Sequence, residues 1–90
     1  MVALDDVRDV FVQVCGLEPA ELGAETNLIE DVDIDSIDFM DATYEIDQKY
    51  GIKLPVEDWM EEVNAGTEGS KERFVLGNLV REIERLTGTA

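Results

Sequence analysis

Apolar side chains recur every three or four positions in four separate segments of this chain, a spacing that predicts helices rather than strands. The first helix is expected over about residues 3–15, and Gly16 is a natural stop after it. The second is expected to run from Ser36 to about Tyr50 and to end at Gly51. Its core face is formed by Phe39, Ala42, Thr43, Ile46 and Tyr50. We therefore expect an all-α protein.

The second half of the chain predicts two further helices. Leu54-Pro55 opens a short third helix, with proline at its first position. The turn-rich stretch 64–70 follows, and Ser70 is expected to cap the last helix. That helix carries a broad apolar stripe, made of Val75, Leu76, Leu79, Val80, Ile83 and Leu86. Residues 17–34 show no period and are expected to form one long loop, a feature that is often functional.

Length and charge restrict the function. Ninety residues form a single domain, expected over 1–90, with one small core and no enclosed active site, so we do not expect an enzyme. Twenty-two acidic residues against seven basic ones give a net charge of −15, which argues against nucleic acid and anionic membranes and favours basic protein partners. Eight of these acids lie between Glu30 and Tyr50, which suggests a docking face.

Cysteine usage and the N-terminus predict a cytoplasmic protein. Cys15 is the only cysteine and cannot form an internal disulfide, and the first residues have neither a basic region nor a long apolar run. We expect Cys15 to be a small core or boundary residue rather than a reactive thiol.

The stretch from Asp31 to Asp41 places one serine among acids at the start of the second helix. Asp35 can cap this helix and Asp38 lies three residues later, so both carboxylates are expected to meet free N–H groups of the first turn. A phosphodiester on Ser36 would be favoured there by the helix dipole. Because the chain has no histidine, a Ser-His nucleophile cannot be built, and Ser36 is expected to be the substrate of another enzyme.

The sequence Asp35-Ser36-Ile37-Asp38, the acidic helix after it and Gly51-Ile52-Lys53-Leu54-Pro55 together resemble an acyl carrier protein, from about Leu4 to Leu86. Ile37 stands where this family usually has leucine, and Asp33 where it usually has glycine. The resemblance implies a four-helix bundle of acyl-carrier type, with a long first loop and an extended region between the third and fourth helices. It also implies that Ser36, next to Asp35, carries covalent 4′-phosphopantetheine, whose thiol holds acyl groups as thioesters.

The same resemblance implies the partners. Phosphopantetheinyl transferase, basic-surfaced enzymes of fatty-acid synthesis and acyltransferases would dock on the second helix. The residues expected to meet them are Ile37, Asp38, Met40, Asp41, Tyr44 and Glu45. Catalytic residues, metal ligands, nucleic-acid contacts and stable membrane insertion are not expected, and the protein should be a monomer.

A finer resemblance concerns the third and fourth helices. Glu57-x-Trp59-x-x-Glu62-Val63-Asn64-x-Gly66, followed by Phe74-Val75-Leu76-x-Asn78-Leu79, is similar to the specialised carriers that bring very long or hydroxylated acyl chains to lipid A. Trp59 could border a larger acyl cavity between helices two, three and four, or it could be a buried anchor.

Three other functions stay open. A peptidyl or polyketide carrier would use the same chemistry with different cargo, and a helical interaction module would leave the serine unmodified. An EF-hand-like calcium loop fits Asp31, Asp33 and Asp35, but it has Ser36 where glycine is needed and Ala42 where a bidentate glutamate belongs. Independently of that loop, weak stabilising Mg²⁺ or Ca²⁺ binding is plausible near Glu30, Asp35 and Asp38.

Overall fold

The computed structural model describes residues 2–88, and Met1, Thr89 and Ala90, the ends of the expected domain, lie outside the described residues. Four α-helices account for most of the described chain and confirm the all-α prediction. They are α1 (Leu4–Cys15), α2 (Ser36–Tyr50), α3 (Val56–Asn64) and α4 (Leu76–Thr87). Two short 3-10 turns, Pro19–Glu21 and Ser70–Phe74, lie in the long first loop and between α3 and α4.

Glycine ends the first two helices, as predicted. Gly16 has φ 69° after α1, and Gly51 has φ 65° after α2. Both are left-handed, a conformation that costs side-chain-bearing residues free energy but glycine almost none. The glycines therefore set where α1 and α2 stop.

The core is organised by a row of four aromatic rings. Phe11 of α1 lies 5.9 Å from Phe39 of α2 between ring centroids, and Phe39 lies 5.6 Å from Phe74 of the second 3-10 turn. Trp59 of α3 completes the row, edge-on to Phe74 at 6.0 Å. All four rings are buried. Each such pair stabilises the fold by roughly 0.5–1.5 kcal/mol beyond the contribution of its buried area. The row joins α1, α2 and α3 to the second 3-10 turn.

The long first loop is held against the start of α4 by backbone hydrogen bonds. The Leu28 N–H donates to the Phe74 carbonyl at 2.8 Å, and the Leu76 N–H donates to the Thr26 carbonyl at 2.9 Å. The Gly77 N–H donates to the Ala24 carbonyl at 2.8 Å. The first N–H groups of α4, which its own turns leave free, therefore find partners in the loop.

This pairing explains why one helix-start prediction was wrong. Ser70 does not cap α4, because it is buried at the beginning of the second 3-10 turn, six residues before Leu76. Val75 occupies the N-cap position and makes no side-chain cap hydrogen bond. Pro55 also lies one residue earlier than predicted, at the N-cap of α3 rather than at its first helical residue.

Gly77 tests the pairing of loop and helix. Replacing a helix-interior glycine with alanine ordinarily stabilises a protein by about 0.5–1 kcal/mol. In Gly77→Ala the new Cβ would lie 2.9 Å from the Ala24 carbonyl oxygen, so the loop must move. We expect the free energy of unfolding to fall by about 1–3 kcal/mol, measured by chemical denaturation. The exposed control Arg81→Ala should change it by less than about 0.5 kcal/mol. A Gly77→Ala protein as stable as the original would contradict this account.

Candidate functional site

Ser36 is the first residue of α2, and its side chain is exposed. Asp35 is the N-cap, and its Oδ1 accepts a hydrogen bond from the Ile37 N–H at 3.2 Å, as predicted. The Asp35 carbonyl accepts from the Phe39 N–H at 2.9 Å, which closes the first turn. The serine hydroxyl therefore lies at the positively polarised end of a regular, capped helix.

The expectation for Asp38 was wrong. Its carboxylate is half buried and makes no hydrogen bond to the first turn of α2 within residues 2–88. The Asp38 charge acts instead across the helix packing, on Cys15 of α1. A spacing of three residues allows a reciprocal cap, but here Asp35 alone provides it.

Asn27 holds the loop that leads into Ser36. Its backbone N–H donates to Asp31 Oδ2 at 2.8 Å, and its Oδ1 accepts from the Ile29 N–H at 3.0 Å. Its Nδ2 donates to the Lys71 carbonyl at 3.0 Å, within the second 3-10 turn. The side chain is 8% exposed, so these bonds are sheltered from water. The chain thus enters α2 from a fixed loop, which determines where Ser36 is presented.

The six residues predicted to meet partners lie together along one side of α2, called here the outer face: Ile37, Asp38, Met40, Asp41, Tyr44 and Glu45. Ile37 is 69% exposed and Tyr44 is 62% exposed, which is unusual for large apolar side chains. Met40 is 39% exposed. Exposed apolar side chains among carboxylates are typical of a surface that is covered only during contacts.

Beside this face, an open groove of about 440 Å³ lies between α2 and the start of α3. We call it the α2–α3 groove. Its lining residues are Met40, Thr43, Tyr44, Asp47, Lys53, Leu54, Pro55, Val56, Glu57 and Asp58. Sequence reasoning missed the contribution of residues 53–58, because a groove depends on how far apart two helices lie. The only sequence signal was the Gly51–Pro55 linker, which delivers an apolar segment next to α2.

Trp59 does not line this groove. It is 2% exposed and packs on Phe74, which agrees with the interpretation as a buried anchor. Its other neighbour is a separate pocket of about 250 Å³ formed with the second 3-10 turn and α4. The larger acyl cavity bordered by Trp59 is therefore not found at the α2–α3 groove, since Trp59 is not among the residues that line it.

Three of the acidic residues near Ser36 are already engaged. Asp31 accepts from the Asn27 backbone, Asp35 caps α2, and Glu30 pairs with Lys71 at 3.2 Å. Between residues 2 and 88, no group of three or more potential ligands is positioned to hold a metal ion. The arrangement therefore gives no support to the EF-hand interpretation.

Cys15 lies at the end of α1, half buried against the first turn of α2. Its Sγ is 3.7 Å from the Asp38 carbonyl oxygen. Burial, together with the nearby charges of Asp38 and Asp41, raises the pKa of the Cys15 thiol to about 11. The boundary position predicted for this cysteine is confirmed.

The site is thus an exposed serine at the start of a capped, acidic helix. Residues 5–66 match the family model described as "Phosphopantetheine attachment site". The chain is therefore a domain of the class to which 4′-phosphopantetheine is attached covalently. More particularly, it belongs to the acyl carrier protein family.

The chain is similar to several acyl carrier proteins, two of them over about nine tenths of its length. It is 40% identical to the acyl carrier protein AcpXL of Rhizobium etli, over 91% of this chain and 89% of that protein. It is 39% identical to the acyl carrier protein AcpXL of Brucella melitensis, over 91% of this chain and 88% of that protein. It is 35% identical to the meromycolate extension acyl carrier protein of Mycobacterium leprae, over 58% of this chain and 45% of that protein.

Acyl carrier proteins in general are carriers that interact with synthesis enzymes and with phosphopantetheinyl transferases. Across residues 2–88, no helix combines the length and the apolar character needed to cross a bilayer.

Alkylation of Cys15 tests the packing of α1 on α2. Because the thiolate is the reactive form, a pKa of about 11 predicts slow reaction with iodoacetamide at neutral pH, and a rate that still rises at a pH of about 10. Asp41→Asn should lower this pKa and speed the reaction, because it removes one of the charges that raise it. Glu61→Gln on α3 is the control. A rate that levels off below a pH of about 9 in the folded protein would disprove the interpretation.

Proposed function

We propose that Ser36 is the residue that carries 4′-phosphopantetheine and that the protein holds acyl chains as thioesters on the cofactor thiol. One observation carries this assignment. The chain contains two serines, Ser36 and Ser70. Ser36 is exposed and lies within the matched residues 5–66, whereas Ser70 is 5% exposed and lies outside them.

The residues around Ser36 fit a phosphodiester. The hydroxyl lies at the N-terminus of a helix of 15 residues, where backbone N–H groups and the helix dipole favour negative charge. Asp35 keeps the first turn ordered, so the attachment point does not fray. The attached cofactor supplies a thiol on a long arm. This chain supplies the exposed hydroxyl and the recognition surface, and because it has no histidine to activate Ser36, the transfer is carried out by a partner enzyme.

The proposed cargo is a fatty acyl chain, delivered for fatty-acid or lipid A biosynthesis. The similarity to proteins named acyl carrier protein AcpXL, over about nine tenths of the chain, supports this choice over a peptidyl or polyketide carrier. The apolar side chains of Met40, Leu54 and Val56 line the α2–α3 groove beside the outer face. Each methylene removed from water there would contribute about 0.8 kcal/mol.

The proposed partners are a phosphopantetheinyl transferase, basic-surfaced synthesis enzymes and acyltransferases, which meet a monomeric carrier in the cytoplasm. They would dock on the outer face of α2, where Asp41 and Glu45 are exposed beside apolar side chains. Exposed ion pairs contribute only about 0–1 kcal/mol each, so such contacts form and break quickly. That behaviour suits a carrier that must visit several enzymes in turn.

Loading tests the attachment residue directly. The protein is incubated with coenzyme A and a promiscuous phosphopantetheinyl transferase, and its intact mass is measured. Ser36→Ala should fold as the original does and gain no mass, because the accepting oxygen is gone. The matched control Ser70→Ala should still gain the phosphopantetheine increment. A mass gain in Ser36→Ala would disprove the assignment.

Salt dependence tests the outer face. Removing two charges in Asp41→Asn/Glu45→Gln should lower kcat/KM of the transferase several-fold, since each exposed pair is worth about 0.2–1 kcal/mol. The reaction of the original protein should weaken between low and moderate salt, and that of the double variant should weaken less. The control Glu61→Gln/Glu68→Gln removes the same charge from exposed positions outside α2. Equal effects of the two double variants would assign the dependence to net charge instead.

A further inference from the structure

The position of α3 raises a physical question. α3 packs on the second 3-10 turn, α2 packs on α1, and α2 and α3 approach each other closely in few places. The α2–α3 groove occupies the space between them and contains buried apolar side chains, including Leu54 and Val56. Water contact with apolar walls is unfavourable, and protein interiors otherwise close-pack. Because the groove is open, we look for the contacts that hold α3 at a distance from α2.

One wall is fixed by the linker between α2 and α3. The Leu54 N–H donates to Asp47 Oδ1 at 3.0 Å, which attaches the linker to the last turn of α2. This bond holds residue 54 at a set distance from α2. It does not determine the direction in which α3 leaves the linker, so a second restraint is needed further along α3.

That restraint lies between α3 and the second 3-10 turn, and none of its residues lines the groove. It is formed by Trp59, Glu62 and Arg73, called here the α3 clamp. Arg73 Nη1 lies 3.2 Å from Glu62 Oε2, and the guanidinium carbon lies 5.8 Å from the centre of the Trp59 ring. Trp59 itself is seated edge-on against Phe74. The clamp therefore ties α3 to the second 3-10 turn rather than to α2.

The chemistry of the clamp suits a positional restraint. Glu62 Oε2 is shielded from water and accepts no hydrogen bond of ordinary geometry, so its interaction with Arg73 is ionic. The rest of the pair is open to water, since the side chain of Arg73 is 48% exposed and that of Glu62 is 36% exposed, and the contact with the buried Trp59 ring is therefore needed to hold Arg73 in place. A planar guanidinium can lie over the indole and face the carboxylate at the same time. Arg73 is also one of only seven basic residues, and it is used away from the acidic outer face.

We propose that the α3 clamp holds the α2–α3 groove open and thereby sets the length of acyl chain that the carrier shelters. Trp59, Glu62 and Arg73 are positioning residues in this proposal, since none of them lines the groove. Without the clamp, α3 moves toward α2, because closing the apolar walls on each other removes them from water. The cargo part of this inference depends on the proposed function of Ser36.

A distance measurement tests the clamp without any cargo. Spin labels are attached to the cysteines introduced by Gln48→Cys in α2 and Glu61→Cys in α3, in a Cys15→Ser background. Both positions are exposed and neither lines the groove. We expect the label distance to shorten in Arg73→Gln and to stay unchanged in Arg81→Gln, an equal charge change on α4. An unchanged distance in Arg73→Gln would overturn the proposal. If Arg73→Gln does not fold, Arg73→Lys keeps the charge but loses the planar contact, and the same shortening is expected.

A chain-length series then tests the effect on cargo. Saturated acyl chains of increasing length are loaded on Ser36, and the Tm of each form is compared with that of the unacylated carrier. Sheltered methylenes should raise Tm until the groove is full. The plateau should move to shorter chains in Arg73→Gln and Glu62→Gln but not in Arg81→Gln. An identical plateau in all variants would refute the role in cargo length. Intact mass identifies a failure of loading, which would count against Ser36 and leave the distance result to decide on the clamp.

Discussion

The pairing of the first loop with the start of α4 is the constraint on which the other features depend. Thr26 and Leu28 exchange backbone hydrogen bonds with Leu76 and Phe74, which gives α4 its cap and gives the loop a fixed path. An unpaired helix start at a buried position would leave polar groups without partners, at about 1–3 kcal/mol each. Asn27 holds Asp31 and the second 3-10 turn, so the loop is fixed to within four residues of Asp35, the cap that precedes Ser36.

The charge of the protein is compatible with this fold because carboxylates stay at the surface. The core contains apolar side chains, and buried polar residues such as Asn27 and Thr43 have hydrogen-bond partners within the protein. A net charge of −15 therefore acts mainly on the outside, where it repels anionic surfaces and attracts basic ones. The folding energy comes from packing such as the aromatic row, so the outer face can be adapted to partners without weakening the core.

Most features that depend on neighbouring residues were predictable from the sequence, the exceptions being the Asp38 carboxylate and the position of Pro55. The ends of α2, its Asp35 cap and the stops at Gly16 and Gly51 all follow from chemistry within about one helical turn. Two larger features that sequence reasoning missed depend on distant segments. Ser70 looked like a cap because a serine preceded an apolar stripe, but the actual partners of α4 lie about fifty residues earlier in the chain. The α2–α3 groove was missed for the same reason, since no local pattern reports the separation of two helices.

The outer face and the α2–α3 groove share residues, and this overlap affects how the site can be dissected. Met40 and Tyr44 belong to both surfaces, whereas Ile37 belongs only to the outer face and Leu54 only to the groove. Under the proposed function, a substitution at Met40 would therefore change partner contact and cargo shelter together, and its effect could not be assigned to either. Ile37 and Leu54 separate the two, although Leu54 is 4% exposed and must be replaced by a side chain of similar volume. The clamp offers a third handle, because Arg73 contacts Trp59 and Glu62 of α3 and belongs to neither the outer face nor the groove.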